Sequence, residues 1–134
     1  TMQENPEYED VVLDVFDFLE TQISLLIKSG ISRSKIIADP GIGFGKTIEQ
    51  NLALLEKLSL FHGLGVPLLL GVSRKGFIGK VTNVERAEER VVGSVAAALT
   101  GVSQGVQIFR VHDVEETRQA FDMWQRIKFG DSDG

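Results

Sequence analysis

The chain has 134 residues, with 14 Lys or Arg against 19 Asp or Glu and a formal charge of −5, which excludes the basic excess that a nucleic-acid binder uses on phosphates. At 43% hydrophobic and 25% charged residues it has the composition of a folded globular chain of one domain, not of a disordered one. The lack of cysteine excludes disulfides, thiolate metal sites and a cysteine nucleophile, and fits a reducing, cytoplasmic setting. No apolar run approaches the roughly 18 residues of a membrane helix, no basic-then-apolar signal segment opens the chain, and the start at Thr1 points to a fragment or a processed product.

In chain order, Asn5 offers a helix cap and Pro6 a first helical residue, with Val12, Val15, Leu19, Ile23 and Leu26 on one stripe up to a stop at Gly30. Lys35 to Ala38 predicts a short buried strand ending in Asp39 and Pro40. After the glycine-rich segment 41–45, Thr47 and Gln50 have the spacing of a capping box ahead of Leu52, Leu55 and Leu58, a helix that ends near Gly63. Val66 to Val72 is apolar at every position instead of alternating, the pattern of a parallel strand buried on both faces. A third helix is expected from about Glu85 to Thr100, with Val91, Val92, Val95 and Leu99 inward and an end at Gly101. Val106, Ile108 and Val111 bracket a third strand. Asp113 and Glu116 then repeat the cap spacing before Ala120, Phe121, Trp124 and Ile127, and the tail after Phe129 reads as disordered.

This alternation is βα repetition, and Asp39, Ser73 and Arg110 follow the three strands at intervals of 34 and 37 residues. Eight such units would need about 280 residues, the size of a (β/α)8 barrel, of which this chain holds about half. An open doubly wound sheet gives the same local pattern. Both architectures place function at the carboxyl ends of the strands.

Those ends carry Asp39, Lys46, Ser73, Arg74, Lys75, Arg110 and His112, a gathering of cations in an acidic chain that suits an anionic substrate such as a phosphate ester. Asp39 can grip two adjacent N–H groups of a heterocycle, or cap its own loop through the amides of Gly41 or Ile42. Gly41 to Thr47 falls one residue short of a Walker phosphate loop, because Pro40 stands where a glycine is needed, and a nucleotide-binding loop is the competing reading. Phe44 can stack on an aromatic ligand or tuck into the core. Of Arg74 and Lys75 only one can easily point inward, whereas Arg110 and His112 share a face as an anion clamp. His62 is assigned no role.

Three segments carry a family resemblance: Asp39 to Lys46 (DPGIGFGK), Gly71 to Lys75 (GVSRK) and Arg110 to Val114 (RVHDV) resemble the signatures of dihydropteroate synthase, and Thr1 to Gln3 resembles the loop after that family's fifth strand. The resemblance implies an α/β chain, the carboxyl-terminal half of a (β/α)8 TIM barrel, with residues 1–134 as the pterin-binding part of a single barrel domain: one helix, then three βα units. It implies a folate-biosynthesis transferase that joins 4-aminobenzoate to (7,8-dihydropterin-6-yl)methyl diphosphate and releases diphosphate. By position, Asp39 would hold the pterin's N–H edge, Lys75 its carbonyl side, and Arg110 and His112 the diphosphate, while Phe44 and Ser73 would line the aminobenzoate site that sulfonamides also occupy. Gly43 and Gly71 belong to the same substrate-binding set, and Asp39, Lys75 and Arg110 to the catalytic one. Mg2+ is implied as cofactor, with its ligand expected from the amino-terminal half and the substrate diphosphate, so no residue here is assigned as a metal ligand. The resemblance further implies a cytoplasmic homodimer, with no nucleic-acid or membrane partner. Three strands cannot close a barrel, so the isolated chain is expected to be inactive without the other half. A non-catalytic half-barrel assembly module is the remaining alternative.

Overall fold

The computed structural model describes residues 6–131; the Asn5 cap, the loop 1–3 and the last residues of the tail lie outside that range. Helix α1 (Pro6–Lys28) buries Val11, Val12 and Ile23, whereas Leu26, the last member of the expected stripe, is exposed because the helix outruns the core beneath it. The chain turns at Gly30, with the Ile31 N–H returning to the Leu26 carbonyl at 3.0 Å.

The first expected strand shrinks to one residue. Arg33–Lys35 is a 3-10 turn capped by Ser32, and Ala38 alone forms a parallel bridge, to Leu68. Helix α2 (Ile48–Glu56) opens on the expected capping box: Gln50 N–H donates to Thr47 Oγ1 at 3.1 Å and Thr47 N–H to Gln50 Oε1 at 2.9 Å. A 3-10 stretch (Leu58–Leu64) carries the chain on and buries Leu58, Phe61 and Leu64.

Of the run 66–72, only β1 (Leu69–Leu70) is a strand beyond that bridge; Pro67 supplies no N–H to a ladder. It pairs in parallel with β2 (Ile108–Phe109), Leu69 opposite Ile108 and Leu70 opposite Phe109. The described residues thus hold two short strands and a bridge in place of three full strands, in the order 38, 68–70, 108–109. Burial alternates over 66–70, with Val66, Leu68 and Leu70 buried against the helices while Pro67 is exposed and Leu69 half-buried on the other face; Gly71 and Val72 are both buried. Ile37, with just over half of its surface exposed, lies in the neighbouring segment as another uncovered apolar residue.

Helix α3 (Gly76–Thr82) was not anticipated. Its presence delays the next helix, α4, to Val91–Ser103. The buried face of α4 is Ser94, Ala98 and Gly101, which turns Val92 into solvent at 83% exposure instead of inward. Gly101 does not end α4. A Cβ there would stand 2.7 Å from Leu70 Cδ2 and 2.9 Å from Phe109 Cε2, so the glycine is what lets the helix lie against both strands. Helix α5 (Val114–Phe129) packs Phe121 edge-on against Phe109 at 4.9 Å, whereas Ile127 is exposed. Among the described residues no helix is long and apolar enough to cross a membrane.

Candidate functional site

The ends of the three parallel segments lie side by side. Asp39 Oδ1 accepts the Gly41 N–H at 2.8 Å, which starts the turn of the glycine loop; among the described residues Oδ2 has no hydrogen-bond partner. The Lys46 ammonium donates to the carbonyls of Gly41 (2.7 Å) and Phe44 (3.1 Å), so it ties its own loop instead of projecting toward a phosphate as a Walker lysine does. This geometry disfavours the nucleotide-loop reading.

Lys75 reaches across from the second segment to the first. Its ammonium donates to the Ile42 carbonyl and lies 4.4 Å from the centroid of the Phe44 ring, a cation–π contact that holds an otherwise exposed aromatic over the rim. Gly43 adopts φ +90, and a Cβ on it would lie 2.7 Å from Lys75 Cδ, so only glycine lets this lysine cross. Burial holds the Lys75 pKa below the ordinary lysine value; Asp39 pulls it back up, and Arg110 and Lys46 push it down. Lys46 is lowered as well, by burial against the opposing pull of Asp39. These mutual influences place Asp39, Lys46, Lys75 and Arg110 in one electrostatic neighbourhood.

Arg74 takes the other course. At φ +61 it turns away and makes a two-bonded ion pair with Asp113, at 2.7 and 3.2 Å. The Asp113 side chain therefore ties two segment ends together and does not cap α5. The Arg74 N–H donates to buried Ser94, and Arg90 holds the Arg74 carbonyl at 2.9 Å.

On the third segment the Arg110 guanidinium lies against the backbone of Gly71, where a Cβ would be 2.8 Å from its Nη2. Ser73 Oγ accepts the His112 backbone N–H at 3.1 Å and bonds His112 Nδ1 at 2.8 Å. Among the described residues Nε2 of that ring has no hydrogen-bond partner.

Two hollows result, and Lys75 lines both. One, of about 330 Å³, is formed by Gly71, Ser73, Lys75, Arg110, Val111 and His112. The other, of about 440 Å³, lies beneath Phe44 and includes Gly43, Lys46, Asn51, Lys75 and Lys80. Of the site residues read from the sequence, Gly71, Ser73, Lys75, Arg110 and His112 line the first hollow and Gly43, Phe44, Lys46 and Lys75 the second, whereas Asp39 lines neither and acts on Lys46 and Lys75 through its charge. Asn51 was missed: it is 2% exposed, and its Oδ1 accepts the Gly43 N–H at 2.7 Å. The signal was a polar residue at i of an i, i+4, i+7 apolar face completed by Leu55 and Leu58.

The model of the family described as pterin binding enzyme matches residues 1–112. The chain belongs to that family. Among curated relatives, the dihydropteroate synthase of Neisseria meningitidis serogroup B is 48% identical over 130 residues, covering 95% of this chain and 46% of the relative. That of Escherichia coli K12 is 46% identical, covering 90% and 42%. The chain therefore spans less than half the length of these relatives. Among solved structures, Xanthomonas albilineans dihydropteroate synthase with 4-aminobenzoic acid superposes with a TM-score of 0.89 at 44% identity, over 92% of this chain and 45% of that one. The same enzyme in complex with 7,8-dihydropteroate also gives 0.89 at 44% identity, over 92% and 47%. The Thermus thermophilus enzyme in complex with 6HMPPP gives 0.84 at 46% identity, over 88% and 47%.

The rim does not fit a divalent metal. Its polar side-chain atoms are mostly cationic nitrogens, which have no lone pair to offer and repel a cation, and among the described residues no group of three or more His, Cys, Asp or Glu could hold an ion.

Proposed function

We propose that this chain supplies the diphosphate-gripping and aminobenzoate-binding part of a dihydropteroate synthase, and that turnover requires the remainder of a full-length enzyme. The observation that carries the reading is Lys75, shared between a cationic hollow with Arg110 and His112 and an aromatic hollow with Phe44.

In the reaction, the amine of 4-aminobenzoate attacks the methylene carbon of the dihydropterin diphosphate. The carbon–oxygen bond breaks, its electron pair leaves with the diphosphate, and the amine proton passes to solvent. Positive charge develops at the methylene and pterin ring while negative charge gathers on the departing oxygens, so both ends gain from charges fixed in advance. Asp39 Oδ2 accepts from the pterin N–H edge, its other oxygen being held by Gly41. When the Ser73 hydroxyl donates to His112 Nδ1, the ring carries its proton on Nε2 and offers it, with the Arg110 guanidinium, to the diphosphate. Lys75 meets the pterin carbonyl side, and Phe44 covers the aminobenzoate ring. These groups orient and stabilise; none needs to become a covalent nucleophile.

The three parallel segments are read as the last three strands of a (β/α)8 barrel, a proposal supported by the apolar residues Ile37 and Leu69 left without a covering layer. The same reading makes the complete protein a cytoplasmic homodimer in which sulfonamides compete with 4-aminobenzoate. Magnesium would have to find its ligands outside the residues described here.

The test is product formation from both substrates with magnesium present. The expected result is none from this chain alone, and dihydropteroate once the chain is co-produced with the amino-terminal portion of the Neisseria relative. Ordinary synthase turnover by the 134-residue chain alone would contradict the requirement for the remainder. No product and no stable complex with the amino-terminal portion would favour a non-catalytic assembly module.

A further inference from the structure

Asn51 is one of the few buried polar side chains among the described residues. The Gly43 N–H can only donate, so the atom 2.7 Å from it must be the amide oxygen, which fixes the orientation of the whole side-chain amide. Its NH2 group is then directed elsewhere. Among the described residues Nδ2 has no hydrogen-bond partner, although every fully enclosed side-chain nitrogen or oxygen has one. Nδ2 therefore retains an opening, and the space that Asn51 lines is the hollow beneath Phe44. A nearly buried donor without an acceptor is costly to keep unless something supplies the acceptor.

The rest of that hollow defines what the acceptor is. Its charged side chains are Lys46, Lys75 and Lys80, with no acid among them, and its walls include Phe44, Ile48 and Phe77. Lys46 and Lys75 already donate to the carbonyls of Gly41, Phe44 and Ile42. Beside the N–H groups those two ammonium ions retain, the Asn51 amide is a neutral donor of fixed direction, and exposed Lys80 adds positive charge. Directed N–H, cationic surroundings and aromatic walls are together the complement of an aryl carboxylate.

We propose that Asn51 is a specificity-determining residue that donates from Nδ2 to the carboxylate of the aromatic amine substrate, with Lys80 supplying long-range charge. The proposal rests on the reading that the Phe44 hollow takes 4-aminobenzoate.

The experiment compares the affinity of the 134-residue chain for 4-aminobenzoate and for 4-aminobenzamide, which keeps ring and amine but carries no charge, by equilibrium dialysis. Dihydropterin diphosphate binding is measured on the same preparations. Wild type should prefer the carboxylate. Asn51→Asp keeps an oxygen for the Gly43 N–H, and so the loop, but turns an anion toward the ligand; the preference should fall by about tenfold or more. An unchanged preference in a folded Asn51→Asp protein overturns the proposal. Should that variant not fold, Lys80→Glu decides: the substitution is at an exposed position, and a preference equal to wild type overturns the proposal. Wild type that binds the pterin diphosphate without preferring the carboxylate overturns this inference alone, whereas wild type that binds neither compound overturns the proposed function with it.

Discussion

Arg74 and Asp113, 39 residues apart, are joined by two hydrogen bonds, and this pair fastens the end of the second parallel segment to the start of α5. Lys75, next in sequence to Arg74, crosses instead toward the first segment. One residue of a basic pair is structural and its neighbour faces the hollows.

The ion pair gives a signed pH dependence. The hydrogen bond from Arg74 holds the Asp113 carboxyl below the ordinary carboxylate range. A folded pKa lowered in this way contributes stability that is present above the unfolded value of about 3.9 and is lost as pH falls through the folded one. Asp113→Asn should therefore destabilise the chain at neutral pH and leave a shallower loss on acidification. Thermal unfolding from pH 7 down to pH 2 checks this; parallel curves for the two proteins would deny the pair any role.

Gly101→Ala separates two accounts of that glycine. If it merely ended a helix, alanine at its negative φ would be neutral or favourable. Because a Cβ would meet Leu70 and Phe109 within 3 Å, overpacking of about 1–3 kcal/mol outweighs the roughly 1 kcal/mol that alanine gains in helix preference. A net loss of about 1 kcal/mol is expected as a lower urea midpoint at unchanged m-value.

Lys75 predicts a slope of the same sign at the alkaline end. Burial lowers its folded pKa below the unfolded 10.5, so between those values the unfolded state binds more protons and stability rises with pH. Lys75→Met should flatten that rise. Lys46, lowered for the same reason, keeps a residual slope of the same sign. Urea unfolding across pH 8 to 10.5 measures it, and an unaltered slope in Lys75→Met would show that Lys75 is not desolvated.

The sequence carried the local chemistry further than the tertiary geometry. Thr47 and Gln50 declared their reciprocal cap because a capping box needs only a three-residue spacing. Alternation along an extended segment was enough to put Arg110 and His112 on one hollow; only one of Arg74 and Lys75 faces inward as expected, but a left-handed turn at Arg74, not alternation, separates them. Burial is a tertiary quantity, and there the reading failed. Val92 looked inward by helical period, but α4 presents Ser94, Ala98 and Gly101 to the core because small residues allow the closest approach. Asp113 had cap spacing, yet an arginine 39 residues away took its carboxylate. Asn51 stood in an apolar stripe and went unremarked, since its acceptor role depends on where the Gly43 loop folds back.

The most direct test is a titration of (7,8-dihydropterin-6-yl)methyl diphosphate into wild type, Asp39→Asn and Arg110→Gln, because the two substitutions touch opposite ends of the same ligand. Charge-assisted bonds of this kind contribute roughly 1.5–3 kcal/mol each, so wild type should bind and each variant should bind about tenfold or more weakly. A wild-type chain that does not bind the diphosphate, or one whose affinity both variants match, would contradict the account.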